Sequence, residues 1–381
     1  MTIRHRVAWI GNMAIRHRVA RIGNMTIRHR VAWIGIGITG LSVAFLTGGC
    51  ASTSDRRDNA RLVPIGAGIQ GPAGLRATVY AKGLLDVATF AYDAEGGLWA
   101  AAAGLSNHRY DGVYLISKPG ARPRRVISGL DDPLGLLWYE GRLYVSSVGR
   151  VSVYSHFNGR HFTRHEILIR GPVKGGENNN LVLAPDGRLL MGITATCDHC
   201  LPTSKYSGSI VSFRSDGSDL RLYAARIRAP FGLAFRPGTS DLFVTMNQRD
   251  DLGDRTTGDA LAIVRSGTNW KFPACYAQGG PACAGVPRPI ALLDKHAAVG
   301  SVAILAGQLG RGAASTALVA EWQAATVQRV TLKGQRRLRG LGKPLAYRLQ
   351  HPLALIVTRT RSVLVGDWGT GTIYRIAPAP S

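Results

Sequence analysis

The chain has 381 residues, 45% of them hydrophobic and only 18% charged, a composition that supports a sizeable buried core and argues against global disorder. Its formal net charge is +24. Residues 1–50 hold seven arginines and no acidic residue, which leaves 40 basic and 23 acidic residues, a net charge of +17, beyond them. Such a surplus attracts phosphate, nucleic acid or anionic envelope polymers. The arginines are scattered, without a basic helix, a metal finger or an RNA-binding aromatic signature, so we predict a solvated basic surface and no nucleic-acid partner.

Three near copies of a 12-residue segment open the chain (MTIRHRVAWIGN, MAIRHRVARIGN and MTIRHRVAWIGI), and each begins with Met. A gene-level duplication would explain the first two copies, which makes Met25 a candidate for the true start. From Met25 a basic stretch precedes an apolar run over residues 31–46, which is typical of a secretory signal and short for a membrane span. The run ends in LTGGC, and the small residues before Cys50 resemble a bacterial lipoprotein cleavage site. An ordinary signal peptide and an uncleaved anchor are the alternatives.

We therefore expect residues 1–50 to be a leader with Cys50 as the lipidated residue. The protein is then exported and anchored to the outer face of the cell membrane, so that the lipid provides its contact with the membrane. Residues 51–72 are rich in Ser, Arg and Gly and are predicted to be a flexible tether.

The four remaining cysteines are an even number in an exported chain, which predicts disulfides. Proximity favours the pairs Cys197–Cys200 and Cys275–Cys283. Zinc binding by the Cys-Asp-His-Cys segment is the alternative, but a lone pair of cysteines without a second pair at ligand spacing is a weak zinc signal.

A repeated pattern of strands follows the tether. A turn leads into a strand of the form x-x-Leu-apolar-Val, and a second strand with alternating polarity comes next. The first strands are predicted at residues 97–100, 141–145, 187–191, 240–244, 315–319 and 361–365, and their partners at 113–116, 151–154, 209–214, 260–265, 326–332 and 372–376. Three of the units open with a Pro-apolar-Gly-Leu motif or a looser form of it, at Pro133, Pro230 and Pro352.

Six repeats spaced by about 45 residues or more are typical of propeller blades. We therefore predict an all-β chain, a six-bladed β-propeller over residues 73–381, in which residues 76–80 complete the last blade. Residues 267–296, which contain Cys275 and Cys283, are predicted to be an insertion. A β-sandwich with similar hairpins is the alternative, and the sixfold count favours the propeller.

The densest polar stretch comes directly after one of these strands, where residues 247–254 read NQRDDLGD. So many charged groups are costly to bury, so we place them on a loop at one mouth of the propeller. Carboxylates and carbonyls there could hold Ca²⁺ and the arginines an anion. A salt-bridged loop without a ligand is the alternative.

The same stretch resembles a known family. Residues 228–254 read RAPFGLAFRPGTSDLFVTMNQRDDLGD, similar to the pattern RNPxGLAFxPxTGxLWVTDNGRDDLGD of the soluble quinoprotein glucose/sorbosone dehydrogenases. Residues 259–262 (DALA) and 267–276 (GTNWKFPACY) then resemble the family's DELN and YGWPxCYG segments, and residues 183–189 (LAPDGRL) resemble another. The resemblance covers roughly residues 75–377.

The resemblance implies a propeller mouth that holds pyrroloquinoline quinone (PQQ) and Ca²⁺, with a histidine that takes the proton from the C1 hydroxyl of a sugar while hydride moves to the quinone. By position, Arg228 matches the arginine that contacts the quinone. The backbone carbonyls of Asn247, Gln248 and Arg249 match the segment that faces Ca²⁺, and Asp259 matches the acid of the DELN segment.

The chain departs from the family at several of these positions. The family's histidine has no counterpart in residues 174–180 (KGGENNN), where Glu177 is the substitute base if its pKa is raised. Ala229 replaces the Asn after the quinone-contacting Arg, and the region near Trp322 is shortened.

Three functions stay open from the sequence. The first is a PQQ- and Ca²⁺-dependent aldose or sorbosone dehydrogenase. The second is a non-catalytic propeller that binds a carbohydrate or an anionic envelope polymer, with residues 178–180 among its recognition groups. The third is a Ca²⁺-dependent lactonase with Glu177, Asn179 and Asn247 as ligands. The sequence says nothing about oligomeric state.

Overall fold

A computed structural model of the protein describes residues 62–171, 176–202, 204–310, 315–334 and 339–380. The predicted leader and Cys50 lie outside these residues. Within them, strands dominate and only three short 3-10 helices occur, at His108–Tyr110, Gly253–Arg255 and Pro281–Cys283. In this part of the chain, none of the helices has the length and apolarity needed to cross a membrane.

The described chain opens with a hairpin and one further strand, and then forms the first three blades. The hairpin is β1 (Val63–Gly66) with β2 (Ile69–Gly71), and β3 (Leu75–Lys82) follows. Blade 1 contains β4 (Val87–Tyr92), β5 (Leu98–Ala102), β6 (Gly112–Ile116) and β7 (Arg124–Ile127). Blade 2 contains β8 (Gly135–Tyr139), β9 (Arg142–Ser147), β10 (Arg150–Phe157) and β11 (Phe162–Arg170). Blade 3 contains β12 (Asn178–Leu183), β13 (Leu189–Ile193), β14 (Ser209–Phe213) and β15 (Arg221–Ala225).

The remaining three blades complete a six-bladed β-propeller, as predicted. Blade 4 contains β16 (Ala229–Phe235), β17 (Leu242–Asn247), β18 (Ala260–Val264) and β20 (Ala291–Leu292), while β19 (Thr268–Asn269) pairs in parallel with β15 of blade 3. Blade 5 contains β21 (Val299–Leu305), β22 (Thr316–Glu321), β23 (Thr326–Lys333) and β24 (Arg339–Ala346). Blade 6 contains β25 (Pro352–Val357), β26 (Val363–Asp367) and β27 (Thr372–Pro378), with β3 as its outer strand.

Each predicted strand pair is the second and third strand of a blade. The second strands are almost wholly buried, and every residue of β5, β17 and β26 is buried, because each lies between two strands and adjacent blades cover both of its faces. Such burial explains their near-continuous apolar sequences. The predicted closure is confirmed, since β3 pairs with β27 from Thr372 opposite Lys82 to Pro378 opposite Leu75.

The Pro-apolar-Gly-Leu motifs lie at the inner strands β8, β16 and β25, where the blades approach one another most closely. A Cβ at Gly232 would lie 2.6 Å from the carbonyl oxygen of Gly300 and 2.7 Å from the backbone nitrogen of Val302 in the next blade. A Cβ at Gly135 would similarly meet the backbone of blade 3, 2.5 Å from the Asn179 oxygen. Glycine is therefore needed at positions 135 and 232, because another backbone occupies the space of a side chain.

Two predicted segment boundaries need correction. The C-terminal part of the expected tether forms β1 and β2, because Ile65 and Ile69 are buried against blades 5 and 6. The predicted insertion at residues 267–296 does carry the disulfide loop, but its end supplies β20, the outer strand of blade 4. Both segments were expected to lie outside the blades. The first instead packs its apolar residues on blades 5 and 6, and the second pairs with a strand of blade 4.

The first strands of the blades, β4, β8, β12, β16, β21 and β25, surround the axis, and β25 contacts β4 to close the ring. Apolar side chains pack together around this axis, among them Ala88, Leu134, Phe231 and Leu353. Because every blade begins with its inner strand, the residues that precede these strands share one face. We call this face the mouth, defined by Asp86, Asp132, Glu177, Arg228, Ala298 and His351.

Candidate active site

Arg228 lies directly before β16 and is buried, with 4% of its surface exposed. Its guanidinium donates to Asp198 Oδ1 from Nε at 2.9 Å and from Nη2 at 2.5 Å, and Nη2 also lies 3.3 Å from Asp250 Oδ2. Asp198 belongs to the turn closed by the Cys197–Cys200 disulfide, and its carboxylate also accepts the backbone N–H groups of Asp250 and Asp251. The arginine matched to quinone binding is therefore neutralised by two carboxylates of the protein.

The other residues matched to the cofactor lie around the same strand ends. The carbonyl oxygen of Asn247 accepts a 3.4 Å hydrogen bond from Arg228 Nη1, and the Asn247 amide donates to Val299 O at 3.0 Å. Asp259 Oδ1 accepts the backbone N–H of Gln248 at 2.7 Å. Burial raises the pKa of Asp259 to about 6. Arg228, Asn247, Gln248 and Asp259 are thus brought together by the ends of β16 and β17, which pair with each other.

Arg249 points to a different neighbourhood, on the exposed side of this loop. Its Nη2 lies 2.6 Å from Asp251 Oδ2, and its guanidinium lies over the ring of Tyr276 at 5.2 Å. The Asp251 pKa is lowered to about 2, first by the hydrogen bond from Arg249. His296 completes this side, with Nδ1 2.9 Å from Asp250 Oδ1.

Glu177 lies at the mouth, directly before β12. Its Oε2 is buried and has no hydrogen-bond partner among the described residues. Burial, and then the charge of Asp132, raise the pKa of Glu177 to about 7, against a hydrogen bond with Thr194 and the charge of Arg228. A carboxyl group that is half ionised near neutral pH suits proton transfer, because a general base works best when its pKa is near the working pH.

Two further carboxyl groups at the mouth were missed by sequence reasoning. Asp86 precedes β4, and burial followed by the charge of Asp111 raises its pKa to about 6. Asp132, whose pKa is raised to about 6 for the same two reasons in the same order, accepts the backbone N–H of Leu105 at 2.7 Å. Each comes shortly before an inner strand, as Glu177 and Arg228 do, and the closed ring brings these positions to one face.

Aromatic rings form the part of the mouth around blades 5 and 6. The Trp322 ring stacks on His351 with centroids 4.0 Å apart, and Trp368 meets Trp322 edge-on at 5.5 Å. His351 Nδ1 donates to the carbonyl oxygen of Trp322 at 3.0 Å. Packed aromatic rings therefore form one side of the mouth, with Trp322 buried against His351 and Trp368, and carboxyl groups form the other.

Asn178 and Asn179, expected as recognition groups in the binding hypothesis, are fully buried. Asn178 Nδ2 donates to Ser147 O at 2.8 Å, and Asn179 Nδ2 donates to Thr194 Oγ1 and to Pro230 O. They tie blade 3 to blades 2 and 4 and leave neither amide nitrogen open to a ligand, whereas Asn180 is half-buried and its Nδ2 lies 3.4 Å from Thr89 Oγ1.

The donors and acceptors of the mouth can be compared with the needs of the two implied cofactors. Buried oxygens without a partner in the described chain occur on Glu177, Asn179 and Asn247, and hard oxygen ligands are what Ca²⁺ requires. For an anionic ring system such as a quinone, the half-buried rings of His351 and Trp368 and the guanidinium of Arg228 are suitable groups. These oxygens are thus of the kind that Ca²⁺ binds, and Arg228 can meet an anionic ligand if it exchanges Asp198 for it.

The two predicted disulfides are formed. Cys197 pairs with Cys200 and Cys275 pairs with Cys283, with Cα separations of 5.8 and 5.0 Å. The first holds the turn that presents Asp198 to Arg228, and the second closes the loop between β19 and β20.

Fold and mouth together define a six-bladed β-propeller with an acidic mouth built around one buried arginine. Solved structures share this fold at low sequence identity. The PQQ-bound aldose sugar dehydrogenase of Streptomyces coelicolor matches with a TM-score of 0.64 at 17% identity, over 81% of this chain and 99% of the other. The apo-form of the soluble aldose sugar dehydrogenase of Escherichia coli matches with 0.63 at 16%, over 80% and 100%.

A calcium structure of a carbohydrate-active enzyme from Trichoderma reesei matches with a TM-score of 0.66 at 15% identity, over 81% of this chain and 96% of the other. No family model and no curated protein matches the sequence. The chain is therefore similar in fold to soluble PQQ-dependent sugar dehydrogenases, and the similarity extends over whole chains of that type.

Proposed function

We propose that the protein is a sugar-oxidising dehydrogenase that works at the mouth of the propeller, on the C1 hydroxyl of an aldose, with PQQ and Ca²⁺ as cofactors. The observation that carries this proposal is Glu177, a carboxyl group with a pKa of about 7 and an unpaired oxygen at the start of β12. The relatives in fold, described as a PQQ-bound form and a calcium structure, support the choice of cofactors.

Each polar group of the mouth has a separate task in this proposal. PQQ, when bound, supplies the two-electron acceptor that sugar oxidation needs. Arg228 would hold it by charge, and the backbone carbonyls of Asn247, Gln248 and Arg249 would face Ca²⁺. Glu177 would accept the proton of the C1 hydroxyl on its unpaired oxygen, while burial, and then the charge of Asp132, keep the pKa of Glu177 high enough for that transfer.

The proposal includes the location. Export and lipidation of Cys50 would place the mouth outside the cell, where free sugars are accessible and disulfides persist. Cell fractionation tests this part, and recovery of the protein in the cytosolic fraction would contradict it.

Replacing Glu177 by Gln tests the base. Glu177→Gln should lower kcat for dye reduction with an aldose about 100-fold or more, the lower range for loss of a general base, and should leave PQQ binding unchanged. The wild type should show a rise in kcat/KM around pH 7, from the raised pKa of Glu177. Activity should persist in Glu177→His, because imidazole is also a base near neutral pH.

The exposed Glu166 on β11 provides the matched control, and Glu166→Gln should retain full activity. The measurement is calorimetric titration of the domain with PQQ and Ca²⁺, followed by dye reduction across a panel of aldoses. If PQQ does not bind at high micromolar concentration, the dehydrogenase proposal is wrong.

A calcium-dependent lactonase is the second candidate, because the unpaired oxygens of Glu177, Asn179 and Asn247 are themselves suitable ligands for the metal. Hydrolysis of sugar lactones that requires Ca²⁺ and proceeds without PQQ would favour it. If PQQ does not bind and Ca²⁺ has no effect on lactone hydrolysis, both the dehydrogenase and the lactonase are excluded.

A further inference from the structure

A cavity of about 280 Å³ lies beside the mouth, between blades 3 and 4 and beneath the loop closed by Cys275–Cys283. This volume is near the lower end for small-molecule sites, roughly 300–1,000 Å³. The walls come from the segment before β16, the end of β17, the start of β18 and the disulfide loop. The lining includes Arg226, Ile227, Met246, Gln248, Trp270 and Phe272.

The charge around the cavity has one sign. Arg226, Arg228 and Arg288 line it, and no aspartate or glutamate is among the described residues that do. Arg228 is already neutralised by Asp198 and Asp250. Arg226 is different, because only its Nε is engaged, in donation to the carbonyl oxygen of Phe272, and its two Nη atoms make no hydrogen bond or ion pair with described residues. A partly buried cation with free donors therefore faces this cavity.

Two neutral donors add to Arg226. Gln248 is 8% exposed and its carboxamide makes no hydrogen bond within the described chain, although the residue lines the cavity. Trp270 is 7% exposed, and its indole N–H likewise has no acceptor among the described residues. Buried polar groups are almost always hydrogen-bonded, so an acceptor from outside the chain would satisfy both.

Part of the remaining wall is apolar. Ile227, Met246, Ala260 and Phe272 are all buried and line the cavity with the disulfide of the loop. Such a surface gains free energy by covering hydrocarbon or an aromatic ring. Phosphate alone would leave these apolar side chains uncovered, and a neutral sugar would bring no negative charge to Arg226.

We propose that this cavity binds a small organic carboxylate with an apolar or aromatic body. The carboxylate accepts hydrogen bonds from the Arg226 guanidinium, which matches its planar geometry, and the body packs against Met246 and Phe272. The site is separate from the proton-transfer chemistry of Glu177, so it goes beyond the proposed dehydrogenase. Of the residues matched to the two cofactors, it shares only Arg228 and Gln248.

Phenylacetate is a suitable probe, because it combines one carboxylate with one ring. Isothermal titration without PQQ and without Ca²⁺ should show one site per chain. Phenylacetamide, its neutral isostere, should bind at least 10-fold more weakly, and inorganic phosphate should not compete. The absence of PQQ keeps this result independent of the dehydrogenase proposal.

Variants then locate the site. Arg226→Gln should weaken the binding of phenylacetate at least 10-fold. Arg226→Lys also loses the Nε hydrogen bond but keeps the positive charge, so it should bind phenylacetate more tightly than Arg226→Gln does. Trp270→Phe should weaken it several-fold. Arg265→Gln removes an exposed charge that pairs with Asp241 in the same blade and should change nothing.

Thermal unfolding of each variant checks that it is folded. Three results would each overturn the proposal. They are equal binding of phenylacetate and phenylacetamide, no binding of phenylacetate at about 10 mM, which is the range of very weak ligands, and equal effects of Arg226→Gln and Arg265→Gln.

Discussion

Arg228 and Asp198 form the most constrained contact of the mouth. Asp198 accepts from two nitrogens of Arg228 and from two backbone N–H groups of the loop after β17. The carboxylate therefore occupies the side of the guanidinium that an anionic ligand would use. Any such ligand has to replace Asp198, and the free energy of that exchange is subtracted from its binding.

Asp198→Asn should therefore raise the affinity for PQQ. The single amide oxygen can still accept from one of the two loop N–H groups, but it competes less for the guanidinium, since a hydrogen bond between charged groups is roughly twice as strong as a neutral one. We expect calorimetry to give a Kd about 10-fold lower, which corresponds to a gain of about 1.4 kcal/mol in binding free energy. Asp251→Asn, which disturbs the ion pair with Arg249, is the control. An unchanged Kd in Asp198→Asn would show that Arg228 does not meet the quinone.

Individual site residues were predictable only in part from the sequence. The motif at residues 228–254 identified Arg228, Asn247 and Gln248, which the ends of β16 and β17 do bring together. Asp198 was not identified, because its contact with Arg228 joins segments 30 residues apart and no periodicity records such a contact. Asp86 and Asp132 were missed for a related reason, since only the closed ring shows that all six inner strands begin at one face.

The elements of the fold were more predictable, because burial determines their sequence. Every predicted strand pair corresponds to the second and third strands of a blade, as with β17 and β18. The inner strands were recognised only as Pro-apolar-Gly-Leu motifs. The β1–β2 hairpin was missed because its short, glycine-rich sequence is apolar at only a few positions, although Ile65 and Ile69 pack on blades 5 and 6.

The contact between inner strands gives a prediction for Gly232 on β16. Gly232→Ala should lower the free energy of unfolding by roughly 1–3 kcal/mol, the usual range for overpacking, because the added Cβ meets the backbone of β21 and no side chain can move away. Gly342→Ala, whose Cβ would lie 3.5 Å from its nearest neighbour, should stay within about 0.5 kcal/mol of the wild type. Chemical denaturation measures both, and equal stabilities would contradict the close approach of blades 4 and 5.

Over the whole molecule, one group of carboxyls departs from the behaviour of surface acids. Burial is the first cause of a raised pKa in each of them: Asp86, Asp132, Glu177, Asp259 and Glu321. Four of them lie at the mouth or beside the strand ends around Arg228, and Glu321 ends β22, next to Trp322. The basic surface, by contrast, carries exposed arginines. The propeller thus keeps its protonatable acids inside and most of its positive charge outside.

These acids make stability fall as pH rises, and Glu321 is the clearest test. Its side chain is fully buried, Oε2 has no partner within the described residues, and burial, followed by the charge of Asp294, raises its pKa to about 7. In the unfolded chain a glutamate releases its proton near pH 4.5. The folded state therefore holds the proton more tightly, so the stabilisation is complete below pH 4.5 and is lost as pH rises to about 7.

Glu321→Gln should remove this dependence. Between pH 4.5 and 8 the free energy of unfolding of the wild type should fall relative to that of Glu321→Gln, by at most about 3 kcal/mol. The exposed Glu95→Gln variant should follow the wild type across the same range. Denaturation in urea at four or five pH values measures the three curves, and comparison of variants cancels the general repulsion of the basic surface. Parallel curves for the wild type and Glu321→Gln would mean that Glu321 is ionised in the folded protein throughout, and that charge from its neighbours compensates its burial.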